Sequence, residues 1–271
     1  MIGQREVTSK IFAQIERRKF PRFSILIGEK GSGKKTLAKE IGNKLGVSSA
    51  VVGTSVDSIR ECIAASYTLV EPIVYIIADC DNMSSAAANA LLKVTEELPQ
   101  QAYFILTCEN LENLLPTIKS RGVTYMLEPY SYEDKCDYLH TCQKQVSEED
   151  EAFILEVAIN IGEVQALLDL DIKAFKEYVE LVIDNISEVQ ISNALKIGEK
   201  LSIKDDSKYD LRLFWRAFGC LCVDRMVGED ALKYAVAVAM TGNALQQLSI
   251  KGINKDMLLS TWILDVRSEW R

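Results

Sequence analysis

Histidine is almost missing from this chain: His140 is the single one in 271 residues, and no two of the seven cysteines form a Cys-x-x-Cys pair. That excludes the usual zinc spacings, and the trio Cys136, His140 and Cys142 is expected to be ordinary helix packing. No apolar run reaches the ~18 residues that a membrane-spanning helix needs. The opening Met1-Ile2-Gly3-Gln4-Arg5-Glu6 holds no apolar core of a secretory signal. The expectation is a cytoplasmic protein with no membrane partner and no structural disulfides. Repeats and low-complexity segments are absent. A positive net charge is lacking too: the formal value is −8, so the molecule as a whole does not read as a nucleic-acid binder. The charge is unevenly spread, however. Residues 1–45 hold 11 Lys/Arg and 4 Asp/Glu, a net of +7 against −15 for the remainder. A basic N-terminal face suits a nucleotide phosphate or a DNA backbone; a solvated helix Thr8–Arg18 ending on Arg17-Arg18-Lys19 explains it equally well.

What is present is an ordinary globular composition, 48% hydrophobic and 26% charged, with length enough for two or three domains. One stretch organises the rest. Gly28-Glu29-Lys30-Gly31-Ser32-Gly33-Lys34-Lys35-Thr36 follows the apolar Phe23–Ile27 and precedes the helical Leu37–Ile41. Strand, glycine-rich loop, lysine, helix is an arrangement that cradles phosphates. Glycines let backbone N–H groups converge on an anion, the helix N-terminus adds its dipole, and Lys34 adds a charge. The loop carries a defect. The residue after the lysine should be Ser or Thr, whose hydroxyl holds Mg²⁺; here it is Lys35, and Thr36 comes one place late.

The pattern along the chain alternates. A helix ends before Pro21, and strands are predicted at Phe23–Ile27, Ala50–Gly53, Ile73–Ile77, Tyr103–Thr107 and Thr124–Leu127. Helices are predicted between them at Thr36–Leu45, Ser58–Ser66, from Ser84 or Ser85 to Glu97, and at 111–120. Continuous β-branched runs such as Ile73-Val74-Tyr75-Ile76-Ile77 mark strands buried on both faces, so an α/β fold with a parallel sheet follows. Beyond Ser131 the strand signal stops. Helices are predicted at Tyr132–Lys144, Glu148–Asn160, Glu163–Asp184 and Glu188–Leu201 and after Tyr209, with a polar connector at 204–208. Ala231–Met240, apolar nearly all round, is expected to be buried. Trp215, Trp262 and Trp270 are expected to pack a core and a subunit contact.

Residues 73–122 carry a resemblance. Val74-Tyr75-Ile76-Ile77-Ala78-Asp79-Cys80-Asp81-Asn82-Met83, then Ala88-Asn89-Ala90-Leu91-Leu92-Lys93 with Glu96-Glu97, then Leu115-Pro116-Thr117-Ile118-Lys119-Ser120-Arg121 stand in order behind a phosphate loop. Together with Ser58-Ile59-Arg60-Glu61 these blocks resemble the clamp-loader ATPases of bacterial DNA replication, and among them the delta-prime type of subunit of the DNA polymerase III clamp loader. The resemblance is detailed over residues 1–130 and architectural beyond. It implies an AAA+ P-loop α/β domain at 1–130, a helical lid at 131–180 and an all-α collar for oligomerisation at 181–271. Implied partners are motor ATPase subunits, a delta-type subunit, a sliding clamp and, through the assembled complex, primed DNA.

The departures from that family sharpen the expectation. Its cysteine-rich zinc module is missing, since only Cys62 lies between Thr36 and Tyr75. Where an active member ends its central strand on Asp-Glu, this chain has Ala78-Asp79. Where the lid offers an arginine, Gly162-Glu163-Val164-Gln165 offers Gln165. Metal hydroxyl, metal carboxylate, full-length base and lid arginine are thus lost together, and phosphoryl transfer depends on such positioned charges. Arg121 is kept, in Ser-Arg-Gly where the family has Ser-Arg-Cys. The resemblance implies that it works as an arginine finger on a neighbour's ATP. The expected degenerate nucleotide site comprises Gly28, Gly31, Gly33, Lys34, Lys35, Thr36, Asp79 and Thr107. It would hold ATP or ADP, if any nucleotide, without a productive Mg²⁺ site and with no metal ligands. Thr107 reads either as a polar sensor of the γ-phosphate or as a strand-end residue satisfying local backbone. Two alternatives remain open: a self-sufficient ATPase using Thr36 and Asp79, and a regulatory adaptor that binds nucleotide without turnover.

Overall fold

The computed structural model describes residues 2–142, 144, 146–187, 209–248, 250 and 252–270. The helix predicted at Glu188–Leu201 and the connector at 204–208 lie outside them. The chain forms two compact units, one of residues 1–141 with 160–162, the other of 142–159 with 163–271.

In the first unit a five-stranded parallel sheet is built from β1 (Phe23–Ile27), β2 (Ser48–Val52), β3 (Ile73–Ile77), β4 (Ala102–Cys108) and β5 (Val123–Met126), in the order β2-β3-β4-β1-β5. The central strands are the apolar runs of the sequence because helices cover both of their faces. Alternation along each strand divides the core in two. Phe23, Ile25, Ile27, Tyr75, Ile77, Phe104 and Leu106 point to one face; Leu26, Val74, Ile76 and Ile105 point to the other. The first face is covered by α3 (Val56–Ser66) and α4 (Ser85–Glu96), through Ile59, Cys62, Ala87, Leu91 and Val94. The second is covered by α1 (Arg5–Glu16) and α2 (Lys34–Leu45), through Ile11, Ile15, Leu37 and Ile41. Serines start the helices of the first face: Ser55 Oγ accepts the Ser58 N–H and Ser84 Oγ accepts the Ala87 N–H. The short helix α5 (Pro116–Lys119) leads into Arg121 and β5, and α6 (Tyr132–Thr141) closes the unit.

Helices make up the second unit. Among the described residues they are α7 (Glu148–Val157), α8 (Ile161–Leu168, whose first residues group with the sheet unit), α9 (Ile172–Asn185), and those at Leu211–Asp224, Ala231–Gln247 and Lys255–Glu269. The single helix predicted over Glu163–Asp184 is two, because Asp171 accepts the Ala174 N–H with its side chain and starts a new one. All three tryptophans are buried. Trp262 meets Phe214 edge-on at 5.9 Å and Phe218 at 4.8 Å, and its Nε1 donates to Thr241 Oγ1 at 3.2 Å. The expectation that Ala231–Met240 is buried fails in this chain. Only Ala237 of that stretch is buried, and Leu232 is 76% exposed. Hydropathy counts apolar residues without regard to which side of the helix has a neighbour. Among the described residues no helix is long and apolar enough to cross a membrane.

Candidate functional site

The loop Gly28–Lys34 leaves β1 and enters α2 through Gly33, whose φ of 87° places it in the left-handed region with no side chain to cap the helix. The first-turn N–H groups of α2 are therefore left facing outward along the axis, the arrangement that attracts anions. Gly31 is left-handed as well, at φ +85°, a conformation that glycine adopts without Cβ strain. It has a second reason to be glycine. A Cβ there would lie 2.8 Å from Asn160 Cγ and closer still to its Oδ1.

Contacts from distant sequence hold the loop, and at its start Gly28 N–H donates to Cys108 O at 3.2 Å. The Asn160 amide donates to Lys30 O at 2.9 Å, Gly162 N–H donates to Gly31 O at 3.3 Å, and the buried Tyr130 hydroxyl donates to Ser32 O at 2.9 Å. Inside the loop, Ser32 Oγ is buried and has no hydrogen-bond partner, an open polar position of the kind that folded proteins rarely leave. Lys34 is buried, and its Nζ donates to Gly28 O at 2.6 Å and Glu29 O at 2.7 Å. Burial pulls the Lys34 pKa below that of an ordinary lysine, while the nearby charges of Glu109, Asp79 and Asp81 push it back up.

Next to it stands an unusual pair. Lys35 Nζ donates to Asp79 Oδ2 at 2.9 Å, with the two side chains 52% and 50% exposed. So solvated a pair contributes only about 0–1 kcal/mol to stability. Asp79 sits at φ 56° and opens a 3-10 turn, Cys80–Asn82, at the end of β3; aspartate is among the few side chains that bear this conformation. Its N–H donates to Thr107 Oγ1 at 3.1 Å, so the buried threonine hydroxyl accepts from the neighbouring strand end. Asp81 Oδ2 accepts the Glu109 N–H at 3.1 Å, joining the same two strand ends. Thr36 is exposed on α2, and one helical step turns it ~100° from Lys35. The lateness of its hydroxyl in sequence therefore becomes a different direction in space.

A divalent cation at such a loop needs a hydroxyl after the lysine and a carboxylate at the strand end. Here an ammonium stands at the first place and already occupies the nearby carboxylate, while Ala78 offers a methyl group. The residues present do not fit Mg²⁺. Among the described residues no group of three or more His, Cys, Asp and Glu side chains could hold a metal ion. The cysteines near the strand ends are not nucleophiles in waiting: burial raises the Cys108 thiol to about 11 and that of Cys80 well above its ordinary value. In the second unit Gln165 donates to both carboxylate oxygens of Asp169 at 3.0 Å.

Gly28, Gly31, Gly33, Lys34, Lys35, Asp79 and Thr107 thus gather at the C-terminal ends of β1, β3 and β4. Arg121 does not join them. It precedes β5, which runs parallel to β1 with Val123 opposite Ser24, so it belongs to the opposite end of the sheet from the loop. The length of β1 separates the two by roughly 15–20 Å at ~3.3 Å per residue. The side chain is 36% exposed, and its guanidinium donates to Thr117 O at 3.0 Å and to Glu96 Oε1 at 3.2 Å. Gly122 beside it is backed by the core: a Cβ there would lie 2.7 Å from Ile25 Cδ1 and 3.1 Å from Phe23 Cε1. Reading the sequence for motifs misses Tyr130, Asn160 and Glu109.

The chain is similar to known proteins over part of its length. The family described as "DNA polymerase III, delta subunit" matches residues 54–131. The DNA polymerase III subunit gamma of Buchnera aphidicola subsp. Schizaphis graminum is 30% identical over 184 residues, 56% of this chain and 50% of that protein. The delta' subunit of Escherichia coli strain K12 is 31% identical over 94 residues, 35% of this chain and 27% of that protein. The chain therefore spans half or less of the length of these relatives. In fold it is similar to a DNA polymerase III gamma subunit-related protein of Thermotoga maritima, with a TM-score of 0.55 at 18% identity over 98% of this chain and 100% of that one. Over the matched segment 54–131, behind a glycine-rich loop and in a parallel five-stranded sheet, the chain is thus similar to clamp-loader subunits of DNA polymerase III.

Proposed function

We propose that this chain is a clamp-loader subunit of DNA replication, of the delta-prime type, that does not hydrolyse ATP and instead supplies Arg121 to a site on a neighbouring subunit. One observation carries the reading: the loop's metal position holds the Lys35 ammonium paired with Asp79, while Arg121 stands partly exposed at the other end of the sheet. An arginine that far from its own phosphate loop has no part in a reaction there. Stabilising charge in a transition state requires direct contact with the transferred phosphoryl group. Its use, on this reading, lies across a subunit boundary.

The arrangement proposed with it is a P-loop domain at 1–130, a helical lid at 131–180 and a collar at 181–271 that joins the subunit to its ring. Motor ATPase subunits and a delta-type subunit are the direct partners, with a sliding clamp and primed DNA engaged by the assembled complex in the cytoplasm. The test is reconstitution with the motor subunits of the same organism. Arg121→Ala is expected to lower DNA-stimulated ATP turnover at the interface it serves by about 10³-fold or more, leaving assembly intact. Unchanged turnover in that complex, or brisk hydrolysis by the purified chain alone, refutes the proposal.

A further inference from the structure

Lys35 Nζ, 2.9 Å from Asp79 Oδ2, does more than remove a metal ligand. It places a fixed positive charge beside the end of the phosphate loop, where other phosphate loops recruit a mobile one. A Mg²⁺ arriving with a bound polyphosphate would have to displace that ammonium from Asp79 and then remain next to it, like charge against like. Meanwhile the half of the site that touches phosphate is intact. Gly31 and Gly33 keep their left-handed turns, and α2 begins on a glycine without a side-chain cap. Lys34 reaches the loop's interior carbonyls, and the Ser32 hydroxyl is buried with no partner of its own. Asp79 is held in place by its N–H bond to Thr107, so the ammonium has a defined resting place within reach of the loop. The pair is solvated, and breaking it to follow a phosphate oxygen costs little.

We propose that this loop binds the di- or triphosphate of a nucleotide as the metal-free anion, with the Lys35 ammonium in the role that a divalent cation plays elsewhere. The inference rests on the phosphate-loop part of the reading above and is independent of the arginine finger. It has a distinctive sign. Mg²⁺ chelates free nucleotide and neutralises part of its charge, so added Mg²⁺ should weaken binding or leave it unchanged, where an ordinary phosphate loop gains affinity.

The experiment is a titration of the full chain with N-methylanthraniloyl-ADP and N-methylanthraniloyl-ATP, read by fluorescence anisotropy in EDTA and in millimolar MgCl₂. The unaltered chain is expected to bind in EDTA at least as tightly as in Mg²⁺. Lys35→Thr removes the ammonium and restores a hydroxyl. It is expected to lose about tenfold or more in EDTA, as fits the loss of one charged contact to phosphate, and to become tighter on adding Mg²⁺. Lys35→Arg keeps the charge and should keep the metal independence. Both substitutions fall on a half-exposed side chain, so a circular-dichroism melt serves to check that each variant is folded. The proposal is overturned if the unaltered chain shows no binding in EDTA, if Mg²⁺ tightens its binding tenfold, or if Lys35→Thr matches it in both buffers. No binding at all would leave the proposed trans role of Arg121 standing. Metal-free binding with no effect of Arg121→Ala on partner turnover would sink that role and leave this inference intact.

Discussion

Replacing Gly31 by alanine should be among the most damaging single changes available in the first unit, and the structure separates its cost into two parts. The first is conformational: at φ +85° an L side chain pays about 1–2 kcal/mol whatever surrounds it. The second is a collision. The new Cβ would lie 2.8 Å from Asn160 Cγ, and Asn160 cannot yield without giving up its 2.9 Å bond to Lys30 O. Losing this part-buried hydrogen bond and forcing the buried Asn160 side chain to move costs about 1–3 kcal/mol. Gly31→Ala should therefore destabilise by about 2–5 kcal/mol, measured as a shift in the urea midpoint at unchanged slope. The second part can be isolated by a double-mutant cycle. In an Asn160→Ala background the collision and the bond are both gone, so Gly31→Ala should then cost only its conformational part. The two sites should couple by about 1–3 kcal/mol. Equal cost in both backgrounds would refute the claim that Asn160 shapes the phosphate loop.

Gly122→Cys, which would restore the family's usual residue beside the arginine, should destabilise by about 1–3 kcal/mol because Ile25 and Phe23 already fill that space; pairing it with Ile25→Ala should recover part of the loss in the denaturation midpoint. Trp262→Phe should cost about 1–3 kcal/mol and alter the near-ultraviolet circular dichroism, since it strips the buried Thr241 hydroxyl of its indole donor. Burial raises the thiols of Cys62 and Cys222 to about 12 from an ordinary value of 9.0. The neutral form is thus favoured in the folded chain. Stability that is complete below about pH 9 should drain away as pH climbs through 9 toward 12. The urea midpoint should fall over that range, and fall less in Cys222→Ala; identical profiles for the two proteins would count against the assignment.

The parts of the fold that were legible are those where one local signal suffices. Ile73–Ile77 is a strand in the residues and in space, because a run covered on both faces must be apolar throughout. β2 begins two residues before the apolar stretch that predicts it: it is a sheet edge whose Ser48 and Ser49 are exposed, so nothing apolar marks its start. The break between α8 and α9 was invisible because Leu167, Leu168 and Leu170 carry the helical period straight up to Asp171. Within the site, the consecutive residues of the loop could be read in order. Asn160 could not, since it meets the loop from 130 positions away. The Lys35–Asp79 pair was legible in principle. Each residue departs from the motif, but only the fold brings the two departures together as complementary charges. Apolar content alone could not say that Leu232 faces outward.

A sheet of parallel strands is a directional object. With a glycine-rich loop at the tail of its strands and the Arg121 guanidinium, paired with Glu96, at the head, this chain offers unlike chemistry to its two flanks. Copies related by a two-fold axis would present the same patch to each other and could never join donor to acceptor. Any assembly that unites the two ends must go head to tail.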